Sequence, residues 1–101
     1  MPNRKATGQS FDSLTIFAVW QKAEVVPNYD SNDLRKDSCG AWIRKDCYGD
    51  TTSNYGWEID HDIPLAKGGT DRLINLQPLH WRNNRHKSDD YPWTCLLTAA
   101  K

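Results

Sequence analysis

The feature that most constrains the fold is an ordered series of structural signals between residues 55 and 88. Apolar and polar residues alternate from Tyr55 to Ile59, which predicts a half-buried strand. Pro64 and the Gly68-Gly69 pair then interrupt regular structure and predict a long loop. The segment therefore begins as a strand that leads into a glycine-containing loop.

The second half of the segment predicts a return strand and a helix. Leu73–Gln77 has the composition of a short strand, and Pro78 stands where a helix can begin. Residues 80–88 favour a helix and place cations in its last turn, where they complement the helix dipole. The order strand, loop, strand, helix predicts an α+β fold whose centre is a β-hairpin crossed by a helix.

Length and composition allow one folded domain beside a short tail. The polar residues 1–10 predict a disordered N-terminal tail, which leaves residues 11–101 as a single domain. Five Trp, four Tyr and two Phe are enough to seed one modest core. The apolar residues 91–97 are expected to pack back on that core.

Two interpretations are open for the segment that follows the tail. Ser10 can cap a helix that places Leu14 and Phe17 on one side. The stretch from Leu14 to Trp20 also fits the period of two that a strand shows. With a further short helix predicted at residues 32–36, we expect a helical N-terminal leader.

The cysteines are Cys39, Cys47 and Cys95, an odd number without a C-x-x-C pair. This count argues against a disulfide framework and predicts free thiols or small buried side chains. The sequence has neither an early apolar run, as a secretory signal would, nor a stretch of membrane-spanning length. We therefore expect a cytoplasmic protein that does not associate with membranes.

The net charge is zero, which argues mildly against nucleic-acid binding because cations neutralise phosphates. The distribution is uneven, however, since the segment from residue 67 to residue 87 has a single acid, Asp71, among several cations. These cations are Lys67, Arg72, Arg82, Arg85 and Lys87. A basic segment therefore follows the carboxylates of Asp60 and Asp62 along the chain.

Residues with catalytic potential are concentrated in the same segment, at Asp60-His61-Asp62, Asn75, Asn84 and Lys87. Hydrolysis of a phosphodiester needs a base that activates water and a cation that absorbs the charge developing in the transition state. A neutral histidine is the natural base near pH 7. Carboxylate and amide oxygens suit Mg²⁺ or Mn²⁺. The segment therefore contains the groups that metal-dependent phosphodiester hydrolysis requires.

The geometry of a strand limits how these groups can meet. Adjacent strand residues point to opposite faces, so Asp60 and His61 can address one site only if the strand ends near Asp60. Pro64 favours such an early end. Asn84 lies on a helix that can cross the two strands and face Asp60. Glu58 is expected to be a solvated strand residue.

Several blocks in this order resemble the HNH endonuclease motif from end to end. They are Trp57–Pro64 (WEIDHDIP), Gly68–Asp71 (GGTD), Asn75–Leu79 (NLQPL) and Asn83–Asp89 (NNRHKSD). Val19–Lys22 and Arg35–Ile43 also resemble leader segments of small stand-alone HNH proteins. The resemblance implies a ββα-metal core over about residues 55–89 and a nuclease activity.

The resemblance also implies a role for each residue of the motif. His61 would be the general base that activates water, and Asp60 and Asn84 would bind the divalent ion. Asn75 would brace the glycine loop and so orient His61. Phosphate contacts would come from the cations Lys67, Arg82, Arg85 and Lys87.

This version of the motif, an H-N-N variant with Asn84 as its third letter, implies one divalent ion and no structural zinc. Mg²⁺ is the expected ion, with Mn²⁺, Ni²⁺ or Zn²⁺ able to substitute. Many relatives bind a structural zinc through two C-x-x-C pairs, but His80 and Asn83 stand where the second pair would fall.

The expected function is that of a metal-dependent endonuclease that hydrolyses double-stranded DNA with low sequence selectivity. A homodimer or a targeting partner would supply any specificity, because no second basic helix is present to read bases. Two other functions stay open at this point. One is a non-catalytic nucleic-acid-binding module with the same fold, and the other is a nuclease or toxin that acts on RNA.

Overall fold

The first half of the chain forms a helix and a three-stranded antiparallel sheet. The computed structural model describes residues 2–98, so Met1 and residues 99–101 of the predicted tail and domain lie outside the described residues. The elements are helix α1 (Ser13–Trp20) and strands β1 (Glu24–Val25), β2 (Leu34–Lys36) and β3 (Trp42–Arg44). Strand β2 pairs with β1 on one side and with β3 on the other. The leader is therefore part helix and part sheet.

Helix α1 settles the choice between helix and strand, but its cap and its buried face differ from the prediction. Asp12, and not Ser10, is the N-cap, since its carboxylate accepts a hydrogen bond from the Thr15 amide at 2.8 Å. Leu14 is 81% exposed and Phe17 52% exposed, so the predicted apolar side faces solvent. The helix is short and buries only its last residues, which include Trp20.

The short helix predicted at residues 32–36 is wrong, because these residues form a turn followed by strand β2. The Asp30 carboxylate and carbonyl accept hydrogen bonds from the turn's amides. Arg35 is buried in the strand and donates to the main-chain carbonyls of Gln21 and Ala23, which follow α1. These contacts outside the segment outweigh its weak local preference for a helix.

The second half of the chain has the predicted order of strand, loop, strand and helix. Strands β4 (Trp57–His61) and β5 (Leu76–His80) pair antiparallel, and helix α2 (Trp81–Lys87) follows β5 directly. The return strand begins three residues later than Leu73, because Leu73–Asn75 forms a 3-10 turn. Pro78 lies within β5 rather than at the helix start, which a two-stranded sheet tolerates because both strands are edges. The α+β prediction is confirmed.

Strand β4 is buried on both faces, because one face packs in the hydrophobic core and the other packs against helix α2. Trp57 and Ile59 point into the core, where the Trp57 and Trp20 rings lie 5.4 Å apart between centroids. Glu58 and Asp60 point the other way and contact side chains of α2. The buried core cluster comprises Phe11, Val19, Trp20, Ala23, Ile43, Trp57, Ile59 and Leu76.

The residues predicted to be a disordered tail make specific contacts in the structure. The Asn3 side-chain oxygen accepts hydrogen bonds from the Ile59 amide and the Tyr48 hydroxyl, each at 2.8 Å. The Ala6 amide donates to the carboxylate of Asp71 at 3.0 and 3.1 Å. Residues 2–10 therefore lie against β4 and the glycine loop.

The cysteine prediction is wrong for two of the three residues. Cys39 and Cys95 form a disulfide with a Cα–Cα distance of 5.8 Å, and Cys47 is a free thiol. The bond ties the C-terminal segment to the loop before β3. The Asn83 side chain also accepts hydrogen bonds from the Leu96 and Leu97 amides, so the segment docks as predicted. In the described part of the chain, no helix is long and apolar enough to cross a membrane.

Reduction of the disulfide is expected to destabilise the fold substantially. The bond closes a loop with a sequence separation of 56 residues, and the entropy of such a loop predicts a loss of about 4 kcal/mol in unfolding free energy. Urea unfolding of the Cys39→Ser/Cys95→Ser variant measures the loss. Cys47→Ser is the matched control and should stay close to wild type; equal stability of both variants would contradict the bond.

His80 joins β5 to α2 through both of its ring nitrogens. The side chain is 0% exposed. Its Nε2–H donates to the Asn54 carbonyl at 2.8 Å, and its Nδ1 accepts the Arg82 amide at 3.1 Å as the N-cap of α2. This arrangement requires the neutral ring, and burial lowers the pKa of His80 despite the opposing hydrogen bond to Asn54 and the charge of Asp37.

The stability of the fold should therefore fall on acidification through the histidine range. In the unfolded chain His80 takes up a proton as the pH falls below the ordinary histidine pKa of 6.5. In the folded chain its pKa is lower, so the folded protein takes up this proton only at a lower pH. The stabilisation is complete above that value and is lost as the pH falls toward the folded pKa. Unfolding free energies between about pH 7.5 and 5 measure the slope. His80→Asn, which can still cap α2, should flatten it, whereas a slope unchanged from that of the exposed control His86→Asn would contradict this account.

Candidate active site

One cavity at the end of β4 brings together the predicted base and both predicted metal ligands. It has a volume of about 360 Å³ and is bordered by Asp60, His61 and Asn84. Strand β4 includes His61 and so ends one residue later than expected. The cavity lies at this end of the strand, where Asp60 and His61 both border it although their side chains leave opposite faces of the strand. Pro2, Asn3, Arg85 and Ser88 also line it.

The Asp60 carboxylate is almost completely buried and has a partner on each oxygen. Gln77 Nε2 donates to Oδ2 at 2.9 Å, and Lys87 Nζ lies 3.4 Å from Oδ1. Burial raises the pKa of Asp60, and it outweighs the hydrogen bond from Gln77 and the charge of Lys87, which act in the opposite direction. A carboxylate that is desolvated in this way gains most from a further positive charge in the cavity.

The side-chain amide of Asn84 is oriented by Glu58. Asn84 Nδ2 donates to Glu58 Oε1 at 2.9 Å. Asn84 Oδ1 takes part in no hydrogen bond among residues 2–98. It is not fully buried, because every fully buried side-chain nitrogen or oxygen in those residues has a hydrogen-bond partner. That oxygen therefore opens onto the cavity and is available as a ligand.

Glu58 is buried rather than solvated, which contradicts the sequence prediction. Only 2% of it is exposed, and Arg85 compensates its charge through Nε and Nη2 at 3.1 and 2.7 Å. The strand period that places Glu58 on the face of Asp60 was the one sequence signal of this role. Arg85, predicted to contact phosphates, is engaged with Glu58 at one edge of its guanidinium.

His61 is held by a residue that the sequence did not single out. Its Nε2 lies 2.8 Å from Asp71 Oδ1, and its ring lies 6.0 Å from that of Phe11 between centroids. When Nε2 carries the proton and donates it to Asp71, Nδ1 keeps its lone pair and can accept a proton. Burial raises the pKa of Asp71, but the hydrogen bonds from His61 and Ala6 outweigh it and lower the pKa overall.

Asn75 ties together the two ends of the glycine loop. Its Nδ2 donates to the carbonyls of Ile63 and Thr70 at 3.0 and 2.9 Å, and its Oδ1 accepts the Ile63 amide at 2.9 Å. Gly69 passes so close to this network that a Cβ there would lie 1.7 Å from the Ile63 carbonyl oxygen. These are the contacts expected of the brace that the resemblance implies.

Lys87 is inside the protein, which contradicts its predicted contact with phosphate. The residue is 0% exposed, and Nζ donates to the His61 carbonyl at 2.9 Å beside the Asp60 carboxylate. A buried ammonium needs both hydrogen-bond acceptors and a counter-charge, and the end of β4 provides them. Among the other predicted phosphate contacts, Lys67 and Arg82 are exposed.

The donor set fits a hard divalent ion. Among residues 2–98, no three His, Cys, Asp or Glu side chains are grouped so as to hold a metal. The predicted ligands in the cavity are instead the carboxylate of Asp60 and the free amide oxygen of Asn84, and Asp89 also borders it. Mg²⁺ takes oxygen ligands and keeps several waters, so it requires few protein groups.

Removal of the Lys87 charge should destabilise the fold more than any loss of surface charge does. Lys87→Met leaves Asp60 buried without a counter-charge, and loss of one partner of a buried pair costs roughly 3–5 kcal/mol in unfolding free energy. Lys67→Met, at an exposed position, should change it by no more than about 0.5 kcal/mol. Urea unfolding measures both. Equal stabilities of the Lys87→Met and Lys67→Met variants would contradict the structural role of Lys87 and would favour the predicted contact with phosphate.

Comparison with known proteins identifies the family of this chain. Comparison with curated proteins and with solved structures gave no match. A family model described as HNH endonuclease matches residues 38–90, which is more than half of the chain. The match includes β4, the glycine loop, β5 and α2, and it confirms the resemblance found in the sequence. The chain belongs to the HNH endonuclease family.

Proposed function

We propose that this chain is a metal-dependent endonuclease that hydrolyses phosphodiester bonds in double-stranded DNA. The observation that supports the proposal most directly is the cavity at the end of β4, where Asp60, His61 and Asn84 meet. The residues proposed as the base and as the two oxygen ligands reach this cavity from a strand and a helix. Family membership supports a nuclease activity in general terms.

His61 acts as the general base in this proposal. Its ring borders the cavity with Nε2 engaged by Asp71, so Nδ1 is the nitrogen that takes the proton from the attacking water. The Asn75 network keeps the loop after His61 in place, through contacts with Ile63 and Thr70. A base that is fixed before substrate binds loses little entropy in the reaction.

Asp60 and Asn84 hold the divalent ion, for which Mg²⁺ is the best match. Bound there, the ion would supply positive charge for the phosphate oxygens as negative charge develops on them. Asp60 contributes a buried carboxylate that is already close to Lys87, and Asn84 contributes the oxygen that its contact with Glu58 leaves free. Because Asn84 is neutral, Asp60 is the single anionic ligand of the pair.

The exposed cations Lys67 and Arg82 are the proposed phosphate contacts, together with the free edge of Arg85. A homodimer or a targeting partner remains a prediction from the sequence. The cytoplasmic location also stays a prediction, and the bond between Cys39 and Cys95 argues against it, because disulfides persist mainly in oxidising compartments.

A plasmid-nicking assay tests the proposal. The full chain should convert supercoiled DNA to nicked or linear forms with Mg²⁺ and not with EDTA. His61→Ala should lower the rate by about 10²–10⁴-fold, the range for loss of a general base. Asn84→Ala should raise the Mg²⁺ concentration needed for activity, whereas the exposed control His86→Ala should cleave like wild type.

The outcomes separate the alternatives. An absence of metal-dependent cleavage, together with binding of DNA, would overturn the proposal and indicate a non-catalytic binding module. Cleavage of RNA in a parallel reaction, with DNA left intact, would keep the chemistry and change the substrate. Cleavage that survives in the His61→Ala variant would contradict the assigned base.

A further inference from the structure

The carboxylate of Asp71 connects His61 to residues outside the motif's own strand and helix. Its Oδ1 lies 2.8 Å from His61 Nε2. On the other side, the Ala6 amide donates to both carboxylate oxygens at 3.0 and 3.1 Å. The carboxylate is therefore fixed by a main-chain group rather than free to rotate in solvent.

We propose that Asp71 is a positioning residue for catalysis, which selects the tautomer of His61 and fixes the orientation of its ring; this rests on the function proposed above. An ionised carboxylate accepts hydrogen bonds only, so it requires the proton on Nε2 and leaves the lone pair on Nδ1. Outer hydrogen-bond partners of metal-ligating histidines contribute about 10–100-fold in metal affinity or activity, and we expect an effect of that order on a histidine base.

The segment around Ala6 holds the Asp71 carboxylate in place. Asn3 anchors the segment on the Ile59 amide of β4, and Pro2 and Asn3 border the same cavity as His61. The contacts run from Ala6 to Asp71 to His61, so the segment holds the carboxylate from the side opposite the ring. A residue that served only to fasten the segment would not need to reach the imidazole.

The test uses the full chain and two substitutions at one position. Asp71→Ala removes the acceptor and should lower kcat by about 10–100-fold with little change in KM. Asp71→Glu keeps a carboxylate and should recover part of that loss. Asp33→Asn removes an exposed carboxylate paired with Arg44, away from the cavity, and serves as the control with wild-type kcat.

A second readout does not depend on turnover. Long-range ¹H–¹⁵N spectra of the histidine rings report which nitrogen of His61 carries the proton. Wild type should show the Nε2–H form, and Asp71→Ala should shift the population toward Nδ1–H. Thermal unfolding shows whether each variant is folded, and the wild-type spectrum tests the tautomer even if Asp71→Ala does not fold.

The results distinguish failure of this inference from failure of the proposed function. If His61→Ala abolishes cleavage while Asp71→Ala keeps wild-type kcat, the inference is overturned and the nuclease proposal stands. If His61→Ala cleaves like wild type, the base assignment and this inference fall together. A wild-type His61 with its proton on Nδ1 would overturn the role of Asp71 whatever the activity.

Discussion

The ammonium group of Lys87 is fully buried between α2 and the end of β4, and the arrangement of the cavity depends on it. It donates to the His61 carbonyl and lies beside the Asp60 carboxylate, so one cation contacts the main chain of one candidate site residue and the side chain of another. A buried charge tolerates little displacement, because its partners cannot be replaced by water. The contact therefore sets the position of the helix against the strand.

Asn84 lies one helical turn before Lys87, on the same face, so the contact that places Lys87 also places Asn84. Glu58 then completes the arrangement from the strand side, because it accepts from the Asn84 amide and is neutralised by Arg85. The candidate ligand is therefore oriented by two contacts between α2 and β4, one through Glu58 and one through Lys87. Substitutions at Glu58 would act on the ligand without touching the cavity.

The elements between residues 55 and 88 could be predicted from the sequence because their signals are local. Strand period, a proline, a glycine pair and a helix dipole all act within a few residues. The burial of Glu58 and Lys87 could not be predicted, since a charged side chain is buried only when a distant residue compensates it. The same holds for the bond between Cys39 and Cys95, which no spacing rule connects.

The pairing of charges at the site determines which cations are left to contact nucleic acid. Two of the cations expected to bind phosphate, Arg85 and Lys87, are engaged with the carboxylates Glu58 and Asp60. Lys87 is buried and Arg85 has one edge of its guanidinium engaged, so in the proposed function the phosphate contacts come from Lys67, Arg82 and the free edge of Arg85. Few phosphate contacts imply weak binding with a shallow dependence on salt. In the proposed function, a chain built in this way would dissociate readily from DNA and would owe any specificity to a partner or to a second copy.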